Sequence, residues 1–333
     1  MAGRVTISDV AREAGVSLMT VSRVVNGKEE ISPATRQRVL EVIEQMGYRP
    51  SGIARGLATQ RTGTLGLVVP DMANPFFSDV ARGAEDRARA AGYNVFVCNT
   101  DESPQREIAA LDSLEEKRVD GVVLCSSRLH DDGLRAALDH HPAAVLVNRR
   151  LEVYHVDTVL LADKKGAQTV TEHLLRSGHC AVGFLAGPLA SYSSQQRSLG
   201  YRAALAAAGV SLNPGWERPC SYEVDDGREA AKALLSDHPE LTAIFCYNDL
   251  VAVGALQACA DLGRRVPKDM ALVGFDDIPM AALVIPPLTT CHVPRYDLGD
   301  QAMRLLLKRI DGFSEACAEI VLPLELVVRA SAP

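Results

Sequence analysis

The sequence predicts a small all-α helix-turn-helix head followed by an α/β body of two similar lobes. Across residues 5–47, capping residues, glycines and apolar residues at helical spacing mark three short helices. From about residue 63 onward, short apolar strands alternate with helices in two successive runs, the pattern of parallel sheets covered on both faces. Charge divides near the same boundary: residues 1–61 hold nine Lys/Arg against six Asp/Glu, and the rest of the 333-residue chain holds 26 against 36.

The head can be read element by element. Thr6 and Asp9 have capping-box spacing, and the helix they start carries Val10, Ala11 and Ala14 on one face before stopping at Gly15. Ser17 caps a second helix whose Val21, Val24 and Val25 turn inward, leaving Leu18, Met19, Ser22, Arg23 and Asn26 outward. Two helices joined by a tight glycine-containing turn, with such residues near the start of the second, suit docking in a DNA major groove. The alternative on spacing alone is an ordinary cap-turn-cap helical pair. A third helix starts at Ser32-Pro33 and ends near Gly47, with Val39, Ile43 and Met46 closing a small core. The stretch from Pro50 to Ala58 has helical spacing of Ile53, Ala54 and Leu57 but only one or two turns, and it contains Gly52 and Gly56. Isolated helices shorter than about 12–15 residues are marginal in water, and each glycine costs about 1 kcal/mol relative to alanine. Such a segment suits a hinge that folds only when templated.

The body shows strands at Thr64–Pro70, Tyr93–Cys98, Gly121–Cys125 and Ala143–Val147, interleaved with helices near 76–92, 103–118 and 131–140. A second series has strands at Ala181–Ala186, Thr242–Cys246 and Met270–Gly274, with helices near 164–177, 194–209, 226–237 and 249–262. Crossovers between the lobes fall near 160, at 288–294 and along Ile320–Arg329. Ligands in open α/β sheets bind at the carboxyl ends of strands, so two facing lobes enclose a cleft. Asn74, Asn148-Arg149, Asn248-Asp249 and Asp276-Asp277 follow strands, and Arg197 lies in a helix beyond Gly187-Pro188. Planar Asn, Asp and Arg side chains supply paired hydrogen bonds to polyhydroxylated ligands, while Phe76, Tyr222 and Phe275 are candidates to cover a ring face. Arg149, Arg150 and Arg295 together would make the pocket electropositive and favour a carboxylated or phosphorylated sugar. Competing readings stand beside these. Asn and Asp after strands serve as helix caps, Arg197 with Asp276 forms a structural ion pair, Phe76 and Phe77 belong to the core, and the three arginines are solvated.

The head closely resembles the LacI/GalR family of bacterial transcription regulators. The matching residues are Val5-Thr6, Asp9-Val10-Ala11, Ala14-Gly15-Val16-Ser17, the run Thr20 to Asn26, Ser32, Thr35-Arg36 and Gly47-Tyr48 with Pro50. The body is similar to that family's regulatory domain, which has the type I periplasmic sugar-binding fold. Asn74 to Phe77, Gly187-Pro188, Arg197 with Gly200-Tyr201, Asn248-Asp249, Val273 to Asp277 and Pro287 to Thr290 carry that similarity. The resemblance implies a 1–49 helix-turn-helix DNA-binding domain, a 50–62 hinge and linker, and a 63–333 two-lobe effector-binding and dimerisation domain. It further implies a homodimer on a pseudo-palindromic operator, acting as a repressor more commonly than as an activator and controlled by a sugar or sugar derivative. Leu18, Met19 and Arg23 then read bases, and Thr6, Ser22, Asn26, Thr35 and Tyr48 hold phosphates. Ser17, Thr20, Ser51 and Ala54 complete the DNA contacts, and Leu57 is the wedge that enters the minor groove. Because positions 18 and 19 are apolar, contact with thymine methyls is expected there, with discrimination resting on Arg23, the central step and DNA shape. Arg197, Asn248 and Asp276 take the central effector contacts, joined by Asn74, Phe76, Asn148, Arg149, Tyr222 and Arg295.

Other functional classes fit less well. A net charge of −7 argues against nucleic acid until the basic head is separated from the acidic body. Eight cysteines without C-x-x-C spacing read as buried thiols, not as a zinc site or a disulfide framework. No signal peptide and no apolar run of 18 residues is seen, so a cytoplasmic protein without a membrane partner is expected. A transport binding protein would lack the head. An enzyme would need a nucleophile–base pair or a metal cluster at the strand ends, so neither catalysis nor a cofactor is expected.

Overall fold

The computed structural model describes residues 5–25, 27, 30–49, 61–152, 154–312 and 315–333. Contacts divide the chain into two compact units, residues 1–63 and 64–333.

In the first unit, α1 (Ile7–Glu13), α2 (Leu18–Val25) and α3 (Pro33–Met46) pack around Val10, Ala11, Ala14, Val21, Val24, Val39 and Val42. The capping box forms as its spacing predicts: the Thr6 amide donates to Asp9 Oδ2 at 3.0 Å, and the Asp9 amide donates to Thr6 Oγ1 at 3.4 Å. Gly15 adopts φ 62°, and the Val16 amide reaches back to Ala11 O at 3.0 Å, closing α1. Along α3 the buried pair is Val39 and Val42, with Ile43 and Met46 half-buried. Val42 is an addition to the expected face, and it sits one turn beyond Val39 on that same face.

In the second unit, the first lobe holds a six-stranded all-parallel sheet. Its strands are β1 (Thr64–Val69), β2 (Asn94–Asn99), β3 (Val122–Cys125), β4 (Ala144–Val147), β5 (Asp157–Leu161) and β11 (Glu319–Leu322), in the order β11-β5-β4-β3-β1-β2. Helices α4 (Pro75–Ala90), α5 (Pro104–Glu116), α6 (Asp131–Asp139) and α12 (Arg295–Ile310) accompany it. Alternation along the strands explains the two-sided burial. Leu65, Leu67 and Val69 face the core shared with α4 and α12, while Val68 faces Leu111 and Leu114 of α5. The second lobe has β6 (Val182–Ala186), β7 (Glu217–Pro219), β8 (Ala243–Cys246) and β9 (Ala271–Val273) in the order β7-β6-β8-β9, also parallel. It carries α7 (Asp163–Arg176), α8 (Tyr192–Ala207), α9 (Val224–Asp237), α10 (Asp249–Asp261) and the short α11 (Pro279–Leu283).

The expected crossovers appear as β5 leading into α7 and as the antiparallel pair β10 (Thr290–His292) and β12 (Glu325–Val327). The strand expected at Ile320–Arg329 is therefore two strands, one in the first-lobe sheet and one in the crossover. Helix α12 has no counterpart among the sequence expectations: it begins after Pro294 with no side-chain cap, so the usual start signal is missing. It seats on α4 backbone to backbone at Gly83 and Gly299. A Cβ at Gly299 would lie 1.9 Å from Val80 O, and one at Gly83 would lie 2.1 Å from Tyr296 O.

Candidate functional site

The strand ends of the second unit gather unusual backbone. Glu102 (φ 55°), Ser126 (φ 50°), Asn148 (φ 51°) and Asp276 (φ 104°) are non-glycine residues in the left-handed region, and all four line one cavity between the lobes. Such conformations cost about 1–3 kcal/mol each and cluster where function holds the backbone in place. The first lobe also contributes Asn74, Phe76, Phe77 and Arg128 to the wall, and the second lobe contributes Ser193, Arg197, Tyr222, Tyr247 and Asn248. The cavity volume is about 30 Å³, room for about two waters.

Arg197 sits at the centre with 3% exposure. Its Nε donates to Asp163 Oδ1 at 2.8 Å, Nη1 to Tyr247 O at 2.6 Å and Nη2 to Asp276 Oδ1 at 3.4 Å. Its guanidinium carbon lies 3.7 Å from the centroid of the Phe275 ring. Burial opposes the charge, but the carboxylates of Asp163 and Asp276 outweigh it and hold the Arg197 pKa above its ordinary value. Phe275 is thus a fully buried floor under Arg197, not the expected cover for a ligand ring. Phe76 and Phe77 meet edge to face at 5.0 Å, both buried and both on the wall. The two asparagines from the helix starts do double service. Asn74 Oδ1 accepts from the Phe76 amide at 3.0 Å and Asn248 Oδ1 from the Val251 amide at 2.8 Å, so each caps a helix while facing the cavity. Asn248 Nδ2 also donates to Tyr222 O at 3.2 Å.

Two expected contacts are corrected. Arg149 is not on the wall: its Nη2 donates to Asp131 Oδ1 at 2.6 Å and to Leu129 O at 3.1 Å. Arg295 lies behind the wall, its Nε on Asp79 Oδ2 at 3.0 Å. With Arg150 paired to Glu319 at 3.1 Å, none of the three supplies a free positive charge to the cavity. Besides Arg197, Arg128 reaches it, and sequence reasoning misses that residue. It is neutralised by Glu102, which accepts from its Nη2 at 2.9 Å and from its Nε, while Nη1 donates to Ser126 O at 3.0 Å. Its signal lies in Ser126-Ser127-Arg128 directly after a strand end, as Tyr247 directly follows β8. Asn148 Oδ1, on the wall, and Asp163 Oδ2, beside Arg197, are buried acceptors without a hydrogen-bond partner among the described residues. Acceptors in that condition suit a ligand hydroxyl.

Burial lifts two carboxyls of the site above the ordinary carboxylate range. Burial, aided by Asp276, raises Asp249 to about 8, although it accepts from Thr290 Oγ1 at 2.6 Å and from the Ile278 amide at 2.8 Å. Burial raises Asp276 to about 6 against the pull of Arg197 and Arg295. Both folded values exceed the ordinary 3.8, so their stability contribution is full below that value and is lost as pH rises through about 6 and then about 8. His141 and His179, lowered by burial from 6.5, act in the opposite sense on the acid side. The expected observation is therefore a difference: between about pH 6.5 and about pH 8.5 the urea midpoint of the wild type falls more than that of Asp249→Asn. Parallel profiles would remove Asp249 from the account.

In the first unit, Ser17 Oγ accepts from the Thr20 amide at 3.1 Å and sits 2.9 Å from Thr20 Oγ1, starting α2 with no acidic side chain in its first turn. Leu18 and Met19 are 51% and 64% exposed at that end. Arg23 is exposed and lies 3.3 Å from Glu30. Ser22 is half-buried. Thr6 and Thr35 take part in the caps of α1 and α3, and Tyr48 packs half-buried against the core. Asn26, Ser51, Ala54 and Leu57 lie outside the described residues.

Comparison with known proteins places both units. Residues 6–51 match the family of bacterial regulatory proteins, lacI family, and residues 62–330 match the family of periplasmic binding proteins and sugar binding domain of LacI family. Catabolite control protein A of Priestia megaterium is 36% identical over 329 residues, covering 98% of this chain and 99% of that protein. The solved lac repressor dimer bound to operator and the anti-inducer ONPF superposes with a TM-score of 0.90 at 28% identity, covering 99% of each chain. The regulator CelR in complex with cellobiose superposes at 0.76 with 34% identity, covering 98% of this chain and 100% of that one.

Proposed function

The chain belongs to the LacI family of bacterial regulatory proteins, and from that premise we propose that it is a repressor gated by a neutral sugar-like effector. A homodimer binds a pseudo-palindromic operator through α2, and the effector sits in the cleft on Arg197, Asp276, Asn248 and Asn148. Residues 1–49 form the reader, 50–62 the hinge and 63–333 the effector and dimerisation domain. The single observation that carries the ligand class is charge balance. Both cavity arginines are already paired, Arg128 with Glu102 and Arg197 with Asp163 and Asp276, so a carboxylate or phosphate finds no unpaired cation there among the described residues. Unpartnered Asn148 Oδ1 and the aromatic wall suit hydroxyls and a ring face.

Exposed apolar side chains support pairing with a second copy. Phe96 and Val97 stand on the edge strand β2, and Leu283, the last residue of α11, and Ile285 beyond it are 79% and 89% exposed. Among the described residues no helix is long and apolar enough to cross a membrane. The operator places the site of action in the cytoplasm. No catalytic role is assigned.

The head is tested by Met19→Ala. The side chain is mostly solvent-exposed, so thermal stability should stay within about 0.5 kcal/mol of wild type. Affinity for an operator selected from random duplexes should fall about tenfold, the cost of one base contact. An unchanged affinity would take Met19 out of the reading surface.

A further inference from the structure

The position of Arg295 points to a role the effector contacts do not cover. It is the first residue of α12, and its side chain is 10% exposed. Its Nη1 donates to the carbonyl oxygens of two consecutive residues, Asp276 and, at 2.9 Å, Asp277. Both residues have positive φ, 104° and 54°, so this turn persists only where its surroundings over-determine it. The Asp277 carboxylate is fixed as well, by Arg329 at 2.7 Å and His292 at 3.0 Å. The turn's own backbone is stitched to the crossover, the Asp276 amide donating to Cys291 O at 2.8 Å. Arg295 is the member of this set that also reaches the first lobe, where its Nε meets Asp79 Oδ2 on α4. Helices α4 and α12 are held backbone to backbone by Gly83 and Gly299, and Arg87 clamps Asp300 at 2.7 and 3.0 Å. Charges of alternating sign thus run from the second lobe into α4: Asp163, Arg197, Asp276, Arg295, Asp79.

We propose that Arg295 is a positioning residue that holds the Asp276–Asp277 turn for ligand and, through Asp79, couples the state of the cleft to helix α4 of the first lobe. The inference rests on the cleft being the effector site. Its test needs no ligand, so a failure of one reading leaves the other measurable. Two sites that bias one element must do so reciprocally. Hydrogen–deuterium exchange is measured on the full chain for wild type, Asp79→Asn, Asp276→Asn, the double variant and Asp79→Glu. Asp276→Asn is expected to change exchange in the first turns of α4 by about fivefold or more, and this response is expected to vanish when Asp79 is already Asn. Asp79→Asn is expected to alter exchange at residues 276–278 by a comparable factor, with Asp79→Glu restoring the wild-type pattern. Additive effects would overturn the proposal. If Asp276→Asn does not fold, the Asp79→Asn arm decides alone, and unchanged exchange at 276–278 would overturn it.

Discussion

Replacing Arg197 with alanine is expected to cost about 3–5 kcal/mol of folding stability and to abolish the response to effector. The reason lies in what stays behind. Asp163 is 1% exposed and Asp276 is 6% exposed, so both are left largely buried without their counter-charge when the guanidinium leaves. Asp163 already has one oxygen without a partner, so it would lose its remaining bond from Arg197. The Tyr247 carbonyl loses its donor too. Arg197→Lys should recover only part of the loss, because one ammonium cannot span acceptors arranged for a planar fork over the Phe275 ring. Urea unfolding of the full chain measures both variants. A loss below about 1 kcal/mol for alanine would mean that the ion cluster contributes no more than a surface pair. Because the head forms its own core, operator binding should survive wherever the variant remains folded.

The second large effect is expected at Gly299. In an exposed helix interior, glycine to alanine stabilises by about 1 kcal/mol. At Gly299 the sign reverses, because the new methyl would fall 1.9 Å from Val80 O, a backbone atom of a packed helix that cannot rotate away. Relief requires α4 and α12 to separate along their contact, and overpacking of this kind costs about 1–3 kcal/mol or more. Gly133, in α6, is the internal control: a Cβ added there would meet nothing within 4 Å, so Gly133→Ala should stabilise by about 0.5–1 kcal/mol. Thermal unfolding midpoints should therefore move in opposite directions. If both rise, the tight helix pair is wrong, and with it the rigid link that carries Arg295 into the first lobe.

What is legible in the sequence follows the physics of each signal. Caps and periodicity are local, so Thr6, Ser17, Ser32 and Gly15 place the head helices, and the alternation of strands and helices places both lobes. Strand-end position is enough to bring Asn74, Asn148, Asn248 and Asp276 to one cavity. It is not enough for the arginines. Arg149, Arg295 and Arg128 all follow strands or crossovers, and which one reaches the cavity depends on distant carboxylates: Asp131, Asp79 and Glu102 respectively. Those pairings depend on packing between elements, which periodicity cannot read. Helix α12 escapes sequence reasoning because Pro294 offers no side-chain cap, and Phe275 is misplaced by it because a strand-end aromatic can face either the floor or the mouth of a cleft.

The most direct test of the account is the affinity of the full chain for a selected operator duplex, measured by fluorescence anisotropy with and without a panel of neutral sugars, sugar acids and sugar phosphates. The account predicts that at least one neutral sugar shifts operator affinity by about fivefold or more, and that Asp276→Asn abolishes the shift while operator binding without sugar persists. Tight operator binding that responds only to anionic sugars, or that responds equally after Asp276→Asn, would contradict it.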